Sequence, residues 1–321
     1  MISKKSTMPK VTVLMSVYNG ERYLKEAIDS ILTQTFTDFE FLIIDDASTD
    51  KTPDILRSYS DPRIRIVTNQ ENIGLTKSLN KGLELAKGEY VARMDADDIS
   101  LPDRFMEEVN YLDSNLDVAV VGTGRENVDS EGNSLEVVFP PKIVSSELLL
   151  KGNQFQHSSV MFRKNIILKE GGYCESMQCC QDYYFWLKLA KKHQLHNIPI
   201  VLCKLRNQKD NVSFLKVHES ALSHIFAMRI IHGTMCENEI CYDLKKVQLT
   251  KEERIYYLNK LANKNRIDNH FREARKNYLE IFYTDPTNVV SLINYFRMFF
   301  GERFIMKTTN FYTFLCRIIE H

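Results

Sequence analysis

The stretch Gly88–Asp98 reads GEYVARMDADD, an apolar run that ends in a cluster of aspartates, and it decides the predicted fold. Tyr90–Met94 suits a buried strand, whereas aspartate is a poor strand former, so the cluster is expected at the carboxyl end of that strand. In open α/β sheets this is the end where ligands bind. Asp95 and Asp97 are two residues apart, so their carboxylates point to the same side if strand geometry persists. Two carboxylates on one side are what the binding of one hard divalent cation requires. The simpler interpretation is an acidic loop that caps the next helix.

The composition excludes several protein classes. A chain of 321 residues can hold an α/β domain of roughly 200 residues and a smaller part. Basic and acidic residues number 42 each, so no global field attracts nucleic acid, and no nucleic-acid partner is expected. The seven cysteines lack the paired spacing of a disulfide scaffold, which favours a reducing compartment. With a polar N-terminus and no apolar run of ~20 residues, a cytoplasmic protein is expected.

Strand and helix patterns alternate on both sides of the opening stretch. Apolar runs predict strands at Val11–Val17, Phe39–Ile44, Ile64–Val67, Tyr90–Met94 and Val118–Gly122. The helical spacing between these runs predicts a parallel, doubly wound α/β sheet with right-handed crossovers. Beyond Arg125 the alternation stops, and the turn signal Asp129–Asn133 predicts an antiparallel hairpin, so the complete sheet is expected to be mixed.

The rest of the chain shows only helical periodicity. Helices are expected near Leu215–His232, Lys251–Asn263, His270–Tyr283, Asn288–Phe299 and Thr308–Ile319. We therefore predict a sheet domain over residues 1–213 and an all-helical C-terminal region over residues 214–321. The apolar residues after Phe299 stand among Arg and Lys, which favours a buried helix pair over helices that lie on the inner face of a membrane as a peripheral contact.

Polar side chains follow three of the predicted strands, at the point where each strand ends. They are Ser16 and Tyr18 after the first strand, Asp45 and Asp46 after the second, and Asp95 and Asp97 after the fourth. Because the carboxyl ends of parallel strands share one edge of a sheet, these groups are expected on one rim. A later helix through Leu189 places Asp182 in its first turn.

This ordered series resembles the family 2 glycosyltransferases, whose nucleotide-binding domain has the GT-A fold, over about Val11–Ser213. The motifs that carry the resemblance are Val17-Tyr18-Asn19-Gly20, Asp45-Asp46-Ala47-Ser48-Thr49-Asp50, Gly88-Glu89-Tyr90, Asp95-Ala96-Asp97-Asp98, Leu101-Pro102-Asp103-Arg104, His157-Ser158-Ser159-Val160-Met161-Phe162-Arg163 and Gln181-Asp182-Tyr183. Each motif is weak alone, but the ordered series is specific.

The resemblance implies a metal-dependent, hexosyltransferase-like enzyme of bacterial polysaccharide or glycoconjugate biosynthesis. It would move a sugar from a nucleotide-sugar donor, most often UDP-linked, to an acceptor hydroxyl of a glycan, glycoconjugate or protein. The implied donor-site residues are Ser16, Tyr18, Asp45, Asp46, Asn72 and Asp95. Within this set Asp46 would bind the base and Asp95 would face the ribose. The DXD motif of Asp95 and Asp97 would hold Mn²⁺ or Mg²⁺, with Asp97 as ligand to the ion on the diphosphate.

The resemblance also implies that Asp182 is the general base of a single displacement, which inverts the anomeric configuration. A carboxylate opposite a metal-neutralised diphosphate suits that chemistry. Without the resemblance, a first-turn anion stabilised by the helix dipole is the favoured role for Asp182. His157 fits contact with the acceptor or a phosphate and a structural role equally well. Trp186 fits core packing better than stacking on a sugar.

One position departs from the family pattern. Family members often carry a histidine in the loop after the last strand, where it completes the metal shell, whereas this chain has Gln208 there and His218 on an expected helix. Two other classes compete with the enzyme interpretation. A non-catalytic nucleotide-sugar-binding or scaffold protein would keep the fold without a base, and a metal-dependent phosphohydrolase would cleave the donor without an acceptor.

Overall fold

A computed structural model describes residues 8–207, 216–243, 246–285, 287–288, 290–291 and 294–295. The chain divides into two compact units, Met1–Gln208 and Lys209–His321. The predicted domain boundary between residues 213 and 214 falls in the segment 208–215, outside the described residues.

The first unit is built around a mixed sheet, which within the described residues has nine strands in the order β3-β2-β1-β4-β8-β6-β9-β5, with β7 paired to β6. The strands are β1 Val11–Val17, β2 Phe39–Asp45, β3 Ile64–Thr68, β4 Tyr90–Met94, β5 Ile99–Ser100, β6 Val118–Val128, β7 Ser134–Val138, β8 Val160–Arg163 and β9 Gln194–Arg206. The helices are α1 Leu24–Leu32, α2 Thr52–Arg57, α3 Leu75–Leu85, α4 Arg104–Ser114, α5 Ser146–Leu150, α6 Lys164–Lys169 and α7 Gln181–Leu189. The α/β class and the mixed sheet are confirmed.

The strand that begins at Val118 is not a direct neighbour of β4, which corrects the prediction of a continuous parallel sheet from Val11 to Gly122. Strands β3, β2, β1 and β4 are parallel as expected, but β8 lies between β4 and β6 and runs antiparallel to both. Val160, Met161 and Phe162 of β8 are fully buried. The apolar strand β8, which comes late in the chain, therefore lies at the centre of the sheet. There it has a neighbouring strand on each side and is buried on both faces.

Three short elements escaped the sequence analysis. The strand β5 has two residues, and the helices α5 and α6 have five and six. Elements of this length contain too few residues to show a hydrophobic period. The expected hairpin is present, since β6 and β7 pair antiparallel and Asp129 and Asn133 close the turn between them.

Helices cover both faces of β1, as a doubly wound sheet requires. The residues that α1 buries are Leu24, Ala27, Ile28 and Ile31. They share one core cluster with Val13 and Met15 of β1. On the other face, α3 approaches β1 so closely that a Cβ on Gly82 would lie 2.2 Å from Leu14 Cδ1. Glycine at position 82 therefore lets α3 pack against the strand.

A buried arginine joins β4 to β8 just below the acidic cluster. Arg104 and Glu108 are both 0% exposed, and their side chains pair at 3.2 Å within α4. Arg104 Nη2 also donates to the carbonyl oxygens of Arg93 at 2.9 Å and Val160 at 3.1 Å. The arginine of the Leu101–Arg104 motif therefore fixes the strand from which the acidic cluster emerges.

Replacing Arg104 tests this structural role. Arg104→Met leaves the Glu108 carboxylate buried without its partner, so the free energy of unfolding should fall by about 3–5 kcal/mol in urea denaturation. The double variant Arg104→Met/Glu108→Leu should recover part of that loss, because no charge then stays buried. Arg57→Met, which breaks the exposed Arg57–Asp54 pair, is the control and should change stability little. Equal losses in the two single arginine variants would contradict the assignment.

The second unit is helical over its described residues, with α8 Val217–Ile231, α9 Lys251–Ile267 and α10 Phe271–Thr284. These bounds confirm the first three helices expected in this region. The predicted helix Thr308–Ile319 and most of Asn288–Phe299 lie outside the described residues, as do the apolar residues that suggested a membrane-surface helix. Within the described part of the chain, no helix combines the length and apolarity needed to cross a bilayer.

Candidate active site

The ends of β1, β2 and β4 lie side by side at one edge of the sheet. In the parallel pairs, Val17 is level with Asp45, and Met15 is level with Met94. The loops that follow these three strands therefore begin on the same rim. This edge carries all six polar side chains expected there, because Ser16 and Asp45 lie at the ends of β1 and β2, and the loops that follow the strands carry Tyr18, Asp46, Asp95 and Asp97.

The carboxylates after β2 are buried and hold neighbouring loops. Asp46 is 2% exposed, and it accepts hydrogen bonds from Asn69 Nδ2 at 2.7 Å and from the backbone amides of Ile73 and Gly74 at 3.0 and 2.9 Å. Asp45 accepts from the Ser48 amide at 3.1 Å. Asp46 thus fixes the loop in which Asn72 lies exposed. A carboxylate has about four acceptor positions, so Asp46 retains capacity for a ligand donor.

Three loops at this site contain a residue with strained backbone. Asn19 follows β1 with φ 52°, Ala47 follows β2 with φ 60°, and Cys180 precedes α7 with φ 54°. Side-chain-bearing residues rarely adopt positive φ, and such strain persists only where the surroundings enforce it, most often at functional sites. Tyr18, beside Asn19, is half exposed and available to a ligand, whereas Ser16 is buried.

The acidic cluster after β4 concentrates negative charge. Burial and the neighbouring Asp95 charge raise the pKa of Asp97 to about 6, and burial raises the pKa of Asp98 well above its usual range. Asp95 is different, because an ion pair with the buried Arg93 at 2.5 Å and a hydrogen bond from Ser158 Oγ at 2.7 Å favour its ionised form. Asp98 faces inward and accepts from the Arg206 amide at 2.9 Å. Asp95 and Asp97 are the members of the cluster that stay partly exposed.

The chemistry of Asp95 and Asp97 fits a divalent cation that is shared with a diphosphate. Within the described ranges, no group of three or more His, Cys, Asp or Glu side chains is arranged to hold a metal ion. Mg²⁺ is commonly bound through one or two carboxylates, with substrate phosphates and waters as the other ligands. Two hard oxygen donors at the rim meet that requirement, and a cation would relieve the repulsion that raises the pKa of Asp97.

Asp182 is the second residue of α7 and lies partly buried. Asn153 Nδ2 donates to its Oδ2 at 3.1 Å. Burial raises the pKa of Asp182, the Asp95 charge adds to that increase, and the Arg93 charge opposes it. The charges of Asp95 and Arg93 both act on the Asp182 carboxyl, so Asp182 belongs to the same charged neighbourhood as the acidic cluster. The N-cap position of α7 is Cys180, so Asp182 is not the capping residue, but it lies in the first turn, where the helix dipole stabilises an anion.

Of the other sequence candidates, His157 and Trp186 are buried in the first unit. His157 is 6% exposed, and its Nε2 lies 2.8 Å from Tyr173 Oη. Trp186 is 0% exposed and packs against Phe155 and His157, so core packing explains it. His218 bonds Tyr257 within the second unit, and Gln208 lies outside the described residues.

Sequence reasoning missed three side chains that shape the site. Arg93 is the one charged residue inside the apolar β4 run, and that irregularity was a usable signal. Asn153 and Ser158 reach Asp182 and Asp95 from segments distant in the chain. Neither contact follows from local spacing, although Ser158 stands in the His157–Arg163 motif that carries the family resemblance.

Comparison with known proteins gives a consistent picture. The family model described as Glycosyl transferase family 2 matches residues 12–169. An uncharacterised glycosyltransferase of Methanocaldococcus jannaschii, MJ1057, is 36% identical over 218 residues, which are 65% of this chain and 75% of that protein. The putative glycosyltransferase EpsE of Bacillus subtilis is 35% identical over 63% of this chain and 74% of its own length. The O-antigen biosynthesis glycosyltransferase WbnJ of Escherichia coli is 35% identical over 57% and 72%.

Solved structures share the fold at low sequence identity. The S. aureus TarS fragment 1–349 in complex with UDP-GlcNAc superposes with a TM-score of 0.58 and 17% identity, covering 90% of both chains. The mannosyltransferase PcManGT from Pyrobaculum calidifontis, in complex with GDP-Man and Mn²⁺, gives a TM-score of 0.57 and 18% identity, covering 98% of this chain and 87% of that one. These similarities establish a GT-A type fold.

Proposed function

Because the chain belongs to glycosyl transferase family 2, we propose that it transfers a sugar from a nucleotide-sugar donor to an acceptor hydroxyl with inversion of configuration. The observation that carries this proposal is the pair of charged groups on separate elements. Asp95 and Asp97 follow β4, and Asp182 begins α7 within the electrostatic reach of Asp95. Such an arrangement can hold a diphosphate on one side of a sugar and activate a nucleophile on the other.

On the donor side, the loops after β1 and β2 would enclose the nucleoside. The half-exposed Tyr18 offers its ring to the nucleotide, and Asp46 both holds the Asn69–Gly74 loop and offers a carboxylate to the base. A base with a ring N–H, as in uracil or guanine, would complete the hydrogen bonding of that carboxylate, and we propose a UDP-linked donor because the family resemblance favours uracil. Mn²⁺ or Mg²⁺, held by Asp95 and Asp97 when bound, would neutralise charge on the leaving diphosphate.

On the acceptor side, Asp182 would remove the proton from the acceptor hydroxyl. The hydroxyl oxygen then forms a bond to the anomeric carbon as the bond from that carbon to the diphosphate oxygen breaks. Attack and departure occur on opposite faces, so one displacement inverts the configuration. Asn153 Nδ2 and the backbone amide of Tyr183 both donate to the Asp182 carboxylate, which has about four acceptor positions and so keeps capacity for the acceptor hydroxyl.

The relatives support the substrate classes proposed here. TarS was solved with UDP-GlcNAc and PcManGT with GDP-Man and Mn²⁺, and WbnJ is named for O-antigen biosynthesis. We propose by analogy a nucleotide-sugar donor, a divalent cation and a glycan, glycoconjugate or protein acceptor. Cytoplasmic location and contact with the inner face of a membrane stay predictions of the sequence.

The test is a panel of nucleotide sugars screened by thermal shift, followed by transfer to candidate acceptors. We expect the selected donor to release nucleoside diphosphate much faster when acceptor is present, and NMR of the product to show the opposite anomeric configuration. Retention would contradict the single displacement. Donor cleavage at the same rate without acceptor would favour a phosphohydrolase, and donor binding without any turnover would favour a non-catalytic binding protein.

Asp46 should discriminate the donor base. Asp46→Ala is expected to raise the donor KM at least about tenfold, with little change in the acceptor KM, because a lost hydrogen bond from a charged group costs about 1.5–3 kcal/mol. Steady-state kinetics with each substrate varied in turn measures the split. Asn69→Ala is the matched variant, since it removes one bond to Asp46 but keeps the carboxylate. If Asn69→Ala raises the donor KM as much as Asp46→Ala does, or if Asp46→Ala raises the donor and acceptor KM equally, Asp46 acts only by holding its loop.

A further inference from the structure

A bridge of three residues, the partly buried Asn80 and the buried Tyr173 and His157, connects the segments that carry the two halves of the proposed site. At one end, Asn80 of α3 forms two hydrogen bonds with the backbone of Tyr173. Its Nδ2 donates to the Tyr173 carbonyl oxygen, and its Oδ1 accepts from the Tyr173 amide, each at 2.9 Å. This two-point contact fixes both the position and the orientation of the segment that leads to α7.

The glycines before Tyr173 allow this close contact. Gly171 and Gly172 both have positive φ, at 86° and 66°. A Cβ on Gly172 would lie 2.8 Å from Asn80 Oδ1. Any residue with a side chain would therefore meet both an unfavourable backbone conformation and a contact with the amide that holds the segment.

The side chain of Tyr173 continues the bridge inward. Its Oη lies 2.8 Å from His157 Nε2 in a fully buried contact. Burial keeps the pKa of Tyr173 above its ordinary value and the pKa of His157 well below its ordinary value. The phenol and the imidazole are therefore both neutral, and one hydrogen bond joins the Tyr173 hydroxyl to His157 Nε2.

The contact between Tyr173 and His157 is connected on one side to Asp95 and on the other side to Asp182. Ser158, the residue after His157, accepts from the Asp95 amide at 3.1 Å and donates to Asp95 Oδ2 at 2.7 Å. The Tyr173 ring packs against Phe185 of α7 with centroids 5.0 Å apart, and α7 carries Asp182 in its first turn. Tyr173 therefore touches both the turn that orients Asp95 and the helix that carries Asp182.

We propose that Asn80, Tyr173 and His157 are positioning residues that hold Asp182 and Asp95 at the separation and orientation required for sugar transfer. The inference rests on the proposed function, since it assigns the two carboxylates to opposite sides of the transferred sugar. A displacement on the order of 1 Å between reacting groups can cost about a hundredfold in rate, so a rigid link between them matters. Tyr173 and His157 are buried and Asn80 is partly buried, and none of the three contacts substrate in this assignment.

Tyr173→Phe is the decisive variant, because it keeps the ring that packs on Phe185 and removes only the hydroxyl. We expect kcat to fall at least about tenfold, while the Kd for nucleoside diphosphate stays within about twofold because Ser158 and Arg93 still contact Asp95 directly. The control is Tyr111→Phe, which removes another tyrosine–histidine hydrogen bond, from Tyr111 Oη to His196 Nδ1 at 2.9 Å. His196 lies on β9, separated from β4 by two strands. Both variants should lower Tm, but only Tyr173→Phe should lower kcat.

Asn80→Ala provides an independent readout. The Tyr173 amide loses its acceptor, so hydrogen exchange of residues 171–180 should become faster than in the wild type. If Asn80 and Tyr173 act through one bridge, the kcat loss of Asn80→Ala/Tyr173→Phe should be smaller than the product of the two single losses. Unchanged exchange, or fully multiplicative losses, would overturn the bridge.

Assaying Asp182→Asn beside these variants distinguishes a failure of the proposed bridge from a failure of the proposed function. Wild-type kcat in Tyr173→Phe and Asn80→Ala, with Asp182→Asn inactive, would overturn the bridge and leave the proposed function standing. Full activity of Asp182→Asn would instead remove the proposed base, and with it the purpose assigned to the bridge. A lower kcat with unchanged nucleotide affinity, seen only in the bridge variants and Asp182→Asn, is the result that supports both.

Discussion

Asp182→Asn is expected to lower kcat at least about a hundredfold while the donor Kd changes by less than about twofold. A positioned general base contributes about 10²–10⁴-fold in rate, and asparagine keeps the shape of the side chain without its basicity. The Asn153 contact can be retained through the asparagine carbonyl oxygen, so the geometry of the α7 start should persist. The loss should therefore appear in chemistry and not in binding.

The pH dependence of kcat gives this prediction a second measurement. Because burial raises the pKa of Asp182, the carboxylate takes up a proton at a higher pH than an ordinary aspartate, and kcat should fall on the acid side as it does so. Asp182→Asn should lack that limb in its residual rate. Because the folded protein disfavours the ionised form, Asp182 lowers the free energy of unfolding as the pH rises from its unfolded pKa through its folded pKa. This cost is smallest at low pH, where the carboxyl is protonated in both states. Asparagine removes that cost, so Tm at neutral pH should stay unchanged or rise.

Asp54→Asn is the matched control, because Asp54 also lies in the first turn of a helix, α2, but on the protein surface. It should leave kcat unchanged. An Asp182→Asn enzyme with the wild-type rate would eliminate the base assignment and most of the case for a single displacement. Comparable losses in donor affinity and rate would instead show that Asp182 organises the donor site.

The part of the site that could be predicted from sequence is the part that depends on local pattern. Tyr90–Met94 could be recognised as a buried strand and Asp95–Asp98 as its polar end, because β propensity and burial change sharply between Met94 and Asp95. The shared rim followed from the strand–helix alternation alone, and the register of β1 with β2 and β4 agrees with it.

The contacts that tune the carboxylates could not be predicted in this way. Asn153 reaches Asp182 across 29 positions of the chain, and Ser158 reaches Asp95 across 63. The insertion of β8 between β4 and β6 has the same origin, since strand order depends on which long-range pairing buries the most apolar surface. Arg93 shows the intermediate case, because its charge was visible in the sequence, but its partner was not.

The proposed roles of Asp182 and Asp97 separate because the two residues would act on different substrates, which leads to the second large effect. Asp97→Ala, or removal of divalent cations by EDTA, is expected to lower kcat/KM at least about a hundredfold, as loss of a major electrostatic contact to a leaving group does. Nucleoside diphosphate binding should weaken in parallel, measured by the thermal shift that UDP produces with and without Mn²⁺. Stability should change little, because Asp97 lies at the rim and its burial already disfavours the charged form.

Asp103→Ala is the control for this effect, since Asp103 is an exposed aspartate just beyond the cluster and its side chain makes no capping hydrogen bond to α4. It should leave donor affinity and rate unchanged. In the wild type, Mn²⁺ or Mg²⁺ added after EDTA should restore turnover, whereas in Asp97→Ala it should restore little, because the ion has lost one of its two rim carboxylates. Full turnover with EDTA present would contradict a divalent-cation site at Asp95 and Asp97. Neutralisation of the leaving diphosphate would then fall to basic side chains near the rim, such as Arg206, whose Nε donates to the Asp97 carbonyl oxygen at 3.0 Å.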